Sequence, residues 1–469
     1  VTGSDVLSQA SAKPLVHLDV GARAAIGRAA RARVPRSAHA EWSPGPTRAD
    51  PGELLGDQEG SRLADLVPLR RERMLSSAFA FYRGAAAIMA ADLATGPDSG
   101  LRVQACGDAH LENFGGFASP DRAMVFDVND FDETNPGPFE WDVKRLAASF
   151  EIAARARELS PKTARSLVLS TVRTYREAMG RFADMSNLGV WYSRLDATTL
   201  VERFQEEMTS SEVKRFQSAV TKAQGKDSLK ALGKLATFVD GEYRIRSDPP
   251  VLVPITELYP TLEADQVLSW LQESFREYRA SLQPDRRHLL ETYRVVDFAR
   301  KVVGVGSVGS RSWVALLIGK DDEDPLFLQV KEAEASVLEP YTEQSAYDHH
   351  GQRVVEGQRL LQAASDILLG WVRAMGIDGV ARDFYVRQMW DWKVSADVET
   401  MVPRLLGLYA QMCGWTLARG HARSGDRVAI AAYLGSKDAF DRAMADFASA
   451  YADQNQRDYD AVVASGFTG

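Results

Sequence analysis

The stretch CGDAHLENFGGFASPDRAMVFDVNDFDETNPGPFEWD, starting at Cys106, constrains this chain more than any other part of it. An acid, Asp108, is followed five residues later by an amide, Asn113. A second acid, Asp127, comes fourteen residues after that, at the end of the apolar run Ala123-Met124-Val125-Phe126. A Gly-Gly turn and a short strand are expected between the last two. Phosphoryl transfer needs a carboxylate to orient the attacking hydroxyl, and a carboxylate with an amide oxygen to hold metal ions on the nucleotide phosphates. A loop and an adjoining hairpin would present those groups to one cleft. On that reading Asp127 lies in a polar cleft, and its loss should weaken metal binding while sparing the fold.

Composition narrows the setting. A length of 469 residues suits two to three domains or one two-lobed enzyme. With 45% hydrophobic and 26% charged residues the chain is ordinary globular material. A net charge of -8 argues against a general nucleic-acid binder. Two cysteines, Cys106 and Cys413, exclude a disulfide framework and an all-cysteine zinc site. No apolar run approaches the roughly 20 residues of a membrane span, and the first residues lack the order of a signal peptide. A cytoplasmic protein with no membrane or nucleic-acid partner is expected.

Residues 1 to 60, rich in Ala, Arg, Pro, Ser and Gly, read as an extended arm. A first lobe is expected over 61–285, containing short strands at 101–105 and 123–126 and two helices over 142–180 divided at Ser160-Pro161. It would include a helical insert at about 185–285, whose lysines (Lys214, Lys222, Lys226, Lys230, Lys234) suit a cap over an acidic or phosphorylated substrate. A β-rich unit follows over 286–400, with a helix from about His350 to Gly370, and helices over 401–469 return to the first lobe.

Within the β-rich unit lies Gly304-Val-Gly306-Ser307-Val-Gly309, with Lys331 22 residues beyond the last glycine. Such a turn brings backbone N–H groups close to phosphates because no Cβ intervenes. A lysine on the next strand can then reach the phosphates. The same glycine spacing occurs in dinucleotide-binding folds, but there the last glycine opens a helix. Here Ser312-Trp-Val-Ala-Leu-Leu-Ile318 continues as strand.

Gly107-Asp108-Ala-His110-Leu-Glu-Asn113 resembles the G-D-x-H-x-x-N catalytic loop of aminoglycoside phosphotransferases and related small-molecule kinases. Val125-Phe-Asp127-Val-Asn-Asp130 resembles their metal-binding I-D-x-x-D strand, and Pro138-Phe-Glu-Trp-Asp142-Val their P-x-x-Y-D-L segment. The strings FAFYRGAA, NDFDETNPGPFEWD and HHGQRVVEGQRLLQAASD also resemble the uncharacterised bacterial family called domain of unknown function 2252. The kinase resemblance implies an α+β, protein-kinase-like two-lobed fold. The catalytic loop precedes the glycine-rich run by almost 200 residues, the reverse of the kinase order, so the fold would be circularly permuted.

The resemblance also implies roles. Asp108 would orient the substrate hydroxyl, while Asn113 and Asp127, with Asp130 as a further ligand, would bind Mg2+. Gly304, Gly306, Ser307, Gly309 and Lys331 would hold ATP. Glu356 would pair with Lys331, in competition with Glu334, Glu339 and Glu343. Asp142 reads as a loop-bracing acid and His110 as structural. The implied activity is ATP- and magnesium-dependent phosphorylation of a small molecule. A non-catalytic or AMP-transferring kinase-like protein is one alternative. A metal-dependent hydrolase built on Asp108-Ala-His110 is another.

Overall fold

The computed structural model describes residues 17–204, 208–225, 228–260, 264–376, 378–389 and 392–467. It is a mixed α/β structure with several antiparallel sheets. Of the residues singled out above, Lys226 lies outside the described ones, as does the start of the expected arm.

The larger body is helical. Phe139–Ala156 and Pro161–Asp184 pack with Pro403–Ser424 and Ala439–Ala464 around a core that includes Phe150, Tyr175, Tyr409, Trp415 and Phe447. Ser160 caps the second helix by accepting from the backbone N–H of Thr163, and Pro161 fills the first helical position. Two small sheets edge this body. Arg102–Ala105 pairs with Asn135–Pro138. Phe114–Ala118 and Met124–Val128 form the centre of the other, flanked by Val394–Ser395 and Leu195–Asp196. Gly115 and Gly116 therefore lie inside a strand, opposite Asp127 and Phe126, and not in the expected turn. The chain reverses at residues 119–122 instead, where Ser119 and Ala123 bond across the turn.

The second body is a six-stranded antiparallel sheet. Its spatial order is Gly370–Met375, Ala381–Gln388, Pro325–Ala333, Ser312–Ile318, Arg294–Lys301 and Leu252–Pro254. Every residue of Ser312–Ile318 is buried, so both faces of the sheet need a cover. Ala231, Leu232, Leu235 and Ile245 pack on Val314, Leu316 and Phe327 on one face. Tyr278, Leu282 and Leu290 pack on Trp313, Ala315, Leu328 and Phe384 on the other. The later part of the expected insert thus clads the sheet instead of capping a substrate in the first lobe. The helix expected from 350 to 370 runs only over His350–Leu361, and a strand follows at Gly370–Met375.

The extended arm is also corrected. Val20–Arg33 and Pro51–Glu59 are helices, with a 3-10 turn at Arg36–Ala40 between them. The first helix lies against Arg427–Leu434 so closely that a Cβ at Gly27 would come within 2.0 Å of the Ala429 carbonyl oxygen. Its small residues are contact surface, which compositional reasoning took for a lack of structure. Farther along, Arg48 pairs with both Asp92 and Asp458.

His39, in the same segment, is fully buried with Nε2 2.7 Å from the Tyr433 hydroxyl. Burial, helped by the Lys144 charge, pushes its pKa down to about 3. Unfolding returns it to about 6.5. Between those values the unfolded chain holds the extra proton, so stability drains as pH falls from 6.5 toward 3. His39→Gln lacks this titration. In thermal melts from pH 7 to 4, wild type should lose ground to the variant by up to about 1.4 kcal/mol per pH unit. A difference independent of pH would show that His39 is not held neutral.

No helix among the described residues is long and apolar enough to cross a membrane. Both cysteines are free and buried.

Candidate active site

The loop after Arg102–Ala105 is braced from below. Asp142 accepts from the backbone N–H of Cys106 (2.7 Å) and of Gly107 (3.0 Å), and His421 Nε2 lies 3.0 Å from the oxygen that serves Cys106. Gly107 has φ +84°, and a Cβ there would sit 2.1 Å from the Glu133 carbonyl oxygen, so only glycine fits. Asp108 follows at the cleft surface. Arg145 holds one of its oxygens from Nε (2.9 Å) and Nη2 (2.8 Å), while stacking on the Tyr82 ring and donating to the Tyr82 carbonyl. Asn113 donates its amide to the Asp108 carbonyl at 2.7 Å, so Oδ1 is its atom for a ligand. His110 accepts from the backbone of Glu112, and burial pushes its pKa down to about 4, so it stays neutral near pH 7.

Two adjoining cavities open above this loop. One, of about 300 Å3, is lined by Asp108, Asn113, Asp130, Asp132, Glu133 and the glycine-rich loop. The other, of about 550 Å3, is lined by Lys301, Lys331, Arg387, Lys393, Asn113 and Asp130. Lys331 stands on Pro325–Ala333, opposite Ser312, the residue that begins the strand after the glycine loop. It is buried and bonded to Asp132, with Asp130 Oδ2 at 3.7 Å. Burial works to lower its pKa, but Asp130 and Asp132 outweigh that and raise it, so the ammonium is permanent. Burial likewise opposes ionisation of Asp130, yet Lys331 and Arg387 hold it down at about 2. Asp132 is pushed up by burial and by the Asp130 charge. Burial also lifts Glu133 to about 7 and lowers Lys393 to about 8, with Arg387 adding to the latter.

The glycine-rich loop, residues 302–311, joins two antiparallel strands. Gly304 and Gly309 take the left-handed conformations (φ +69° and +90°) that the turn demands. The segment at residues 61–73 grips it. Leu63 N donates to Gly309 O (2.8 Å), Arg62 Nη1 to Val308 O (2.7 Å) and Arg73 Nη1 to Gly304 O (2.9 Å), while Arg311 of the loop donates to Ser61 O (3.1 Å). Val302 and Val308 pack on Leu66 beneath it.

A family model described as "Uncharacterized protein conserved in bacteria (DUF2252)" matches residues 62–465. The chain belongs to that family. No curated protein and no solved structure matches it. The DUF2252 match takes in the glycine-rich loop and the lining of both cavities except Gln58. It leaves out the helices Val20–Arg33 and Pro51–Glu59.

Asp108, Asn113, Asp130, Gly304, Gly306, Ser307 and Lys331 line the joined cavities of this DUF2252 chain. Three expected site residues do not: Gly309, whose carbonyl accepts from the Leu63 backbone, Asp127 and Glu356. Asp127 is 1% exposed and spent internally. Both its oxygens accept from Arg419 Nη2 (2.5 and 2.6 Å), and the backbone N–H groups of Val128 and Ala363 complete its shell. It lies within Met124–Val128, a strand buried at every position, whereas Asp130 emerges beyond the strand end. Of the two acids expected to bind metal, Asp130 lines the cleft and Asp127 does not. Glu356 pairs with Arg359 on its own helix, not with Lys331; the lysine's partners come from the segment of Asp130 and Asp132. Arg353 of that helix turns to the Asp132, Thr134 and Glu334 carbonyls.

Sequence reasoning missed Arg145, Arg419 and Lys393. Arg419 left a signal: a charge directly after the apolar run Leu-Tyr-Ala-Gln-Met-Cys-Gly-Trp-Thr-Leu-Ala, on the same helix, calls for a partner. Arg145 and Lys393 left none, since each acquires meaning only from what the fold sets opposite it.

Proposed function

We propose that this protein is an ATP- and magnesium-dependent phosphotransferase acting on a hydroxyl of a small molecule, on a permuted protein-kinase-like scaffold. The observation that carries the reading is convergence. Asp108, Asn113, Asp130, Lys331 and the glycine loop come from segments up to about 200 residues apart, yet they line one cleft. The scaffold supports it too. Counted from the strand before the glycine loop, the lysine stands on the third strand and a helix follows, as in the kinase template.

In this reading the larger cavity receives ATP, with its phosphates under residues 302–311 and against Lys331. Asp132 orients the lysine, the task expected of Glu356. Asn113 Oδ1 and Asp130 suit magnesium, which is commonly held by one or two protein oxygens together with phosphate. The bound cation would neutralise charge between the terminal phosphates. Asp108 positions the substrate hydroxyl in the smaller cavity. The hydroxyl oxygen bonds to the γ-phosphorus, the bond to the bridging oxygen breaks, ADP leaves and the hydroxyl proton passes to Asp108. An ATP-dependent enzyme with two buried thiols suits a cytoplasmic setting.

Calorimetry with ATP, with and without magnesium, tests this. Wild type should bind ATP more tightly with magnesium. Asp130→Ala should lose that gain and weaken Mg–ATP binding at least about tenfold, near 1.4 kcal/mol, with an unchanged melting temperature. Equal affinity of wild type with and without magnesium, or no binding at all, would overturn the proposal.

A further inference from the structure

We infer that Arg83 is a further catalytic residue, an arginine supplied from the same chain that contacts the phosphoryl group in flight. The inference rests on the phosphotransferase reading. Five residues line both cavities: Arg83, Asn113, Asp130, Gly304 and Ser307. A phosphoryl group leaving a nucleotide in one cavity for an acceptor in the other must cross the wall these five make. Four already have assignments there, to the metal and to the phosphates. Arg83 carries the positive charge of the five, and nothing in the sequence assigned it a role.

Its surroundings suit that task. Arg83 stands in the last turn of the short helix Ala78–Gly84, with its guanidinium near the Phe79 ring and Nη2 2.8 Å from Glu112 Oε2. Nε is buried without a hydrogen-bond partner. Three other cations nearby are more fully committed. Arg145 holds Asp108, Lys331 holds Asp132, and Arg387 donates to the Asn129 carbonyl and to Gln329. The glycine loop comes down onto Arg83 itself: a Cβ at Gly306 would lie 3.4 Å from the Arg83 carbonyl oxygen.

As the bond to the leaving ADP lengthens and the bond to the acceptor oxygen forms, charge spreads over the three equatorial phosphoryl oxygens. A planar guanidinium meets two of them at once, which an ammonium cannot do. Arg83 therefore contributes to the transition state more than to the bound ground state.

The full chain is titrated by calorimetry with Mg–ADP, alone and with aluminium fluoride, which completes a mimic of the transferring group. Wild type should bind Mg–ADP at least about a hundredfold more tightly with fluoride present. Arg83→Ala should bind Mg–ADP like wild type and lose the fluoride-dependent gain. Arg83→Lys, which keeps the charge and stem without the fork, should lose most of it and serves if the alanine variant does not fold. Glu112→Gln should keep the gain, because Arg83 acts directly and not by bracing the catalytic loop. If the arginine variants keep the gain, or Glu112→Gln loses it as fully as they do, the inference falls while the phosphotransferase reading stands. If wild type binds neither form, the phosphotransferase reading itself falls.

Discussion

Replacing Asp127 by alanine is expected to destabilise the fold by about 3–5 kcal/mol, the usual penalty for leaving one half of a buried ion pair behind. Asp127 and Arg419 are each 1% exposed, and no solvent reaches the guanidinium that would be stranded. Two backbone N–H groups, of Val128 and Ala363, would lose their acceptor as well. Against a typical total of about 5–15 kcal/mol, a loss of that size leaves little margin. Chemical denaturation should show the midpoint falling sharply with little change of slope. Asp127→Asn with Arg419→Met, which removes both charges, should recover much of the loss. A stable Asp127→Ala protein that has lost magnesium-dependent nucleotide binding would restore Asp127 as a metal ligand.

Asp108→Asn is expected to lower turnover by about 10²–10⁴-fold while nucleotide affinity stays near that of wild type. The size follows from position. Arg145 fixes one carboxylate oxygen through Nε, with Nη2 beside it, so in the proposed reaction the value of Asp108 lies in aiming its free oxygen at the substrate hydroxyl. The transition state is loose, with proton transfer late, which suits an acid used in this way. Slow hydrolysis of ATP, with water as acceptor, gives a rate to measure before the substrate is known. Turnover within a few-fold of wild type would remove Asp108 from the chemistry and favour a nucleotide-binding protein without catalysis.

What the sequence made legible was whatever a local motif carries. Asp108, Asn113, the glycine run and Lys331 sit in short strings whose spacing is meaningful before any tertiary contact forms. Asp240-Gly241, between the paired strands Ala236–Val239 and Glu242–Ile245, is a signal of the same local kind, and both residues take positive φ in the turn. Pairings across the fold were not. Glu356 was chosen for being on the helix after the lysine, yet that helix presents Arg353, not Glu356, to the segment of Asp132. Asp127 and Asp130 are both acids in a strand-like string, and only the burial of the strand tells the structural one from the one that lines the cleft. The clad sheet was foreshadowed by Ser312–Ile318, whose unbroken hydrophobicity requires partners on two faces but does not say where in the chain they lie.

The grip on the glycine loop has a thermodynamic consequence. Any movement that widens the cleft at residues 302–311 must break the bonds from Leu63, Arg62 and Arg73 and the one to Ser61. At about 1 kcal/mol net for each, the open form lies roughly 4 kcal/mol above the closed one and is populated about once in 10³ molecules. A ligand that enters only the open form binds with its affinity reduced by that fraction. Three of the four bonds run from arginines to neutral carbonyls, so added salt does little to loosen the loop. Occupancy of this cleft is then set as much by the segment at 61–73 as by the residues that touch the ligand.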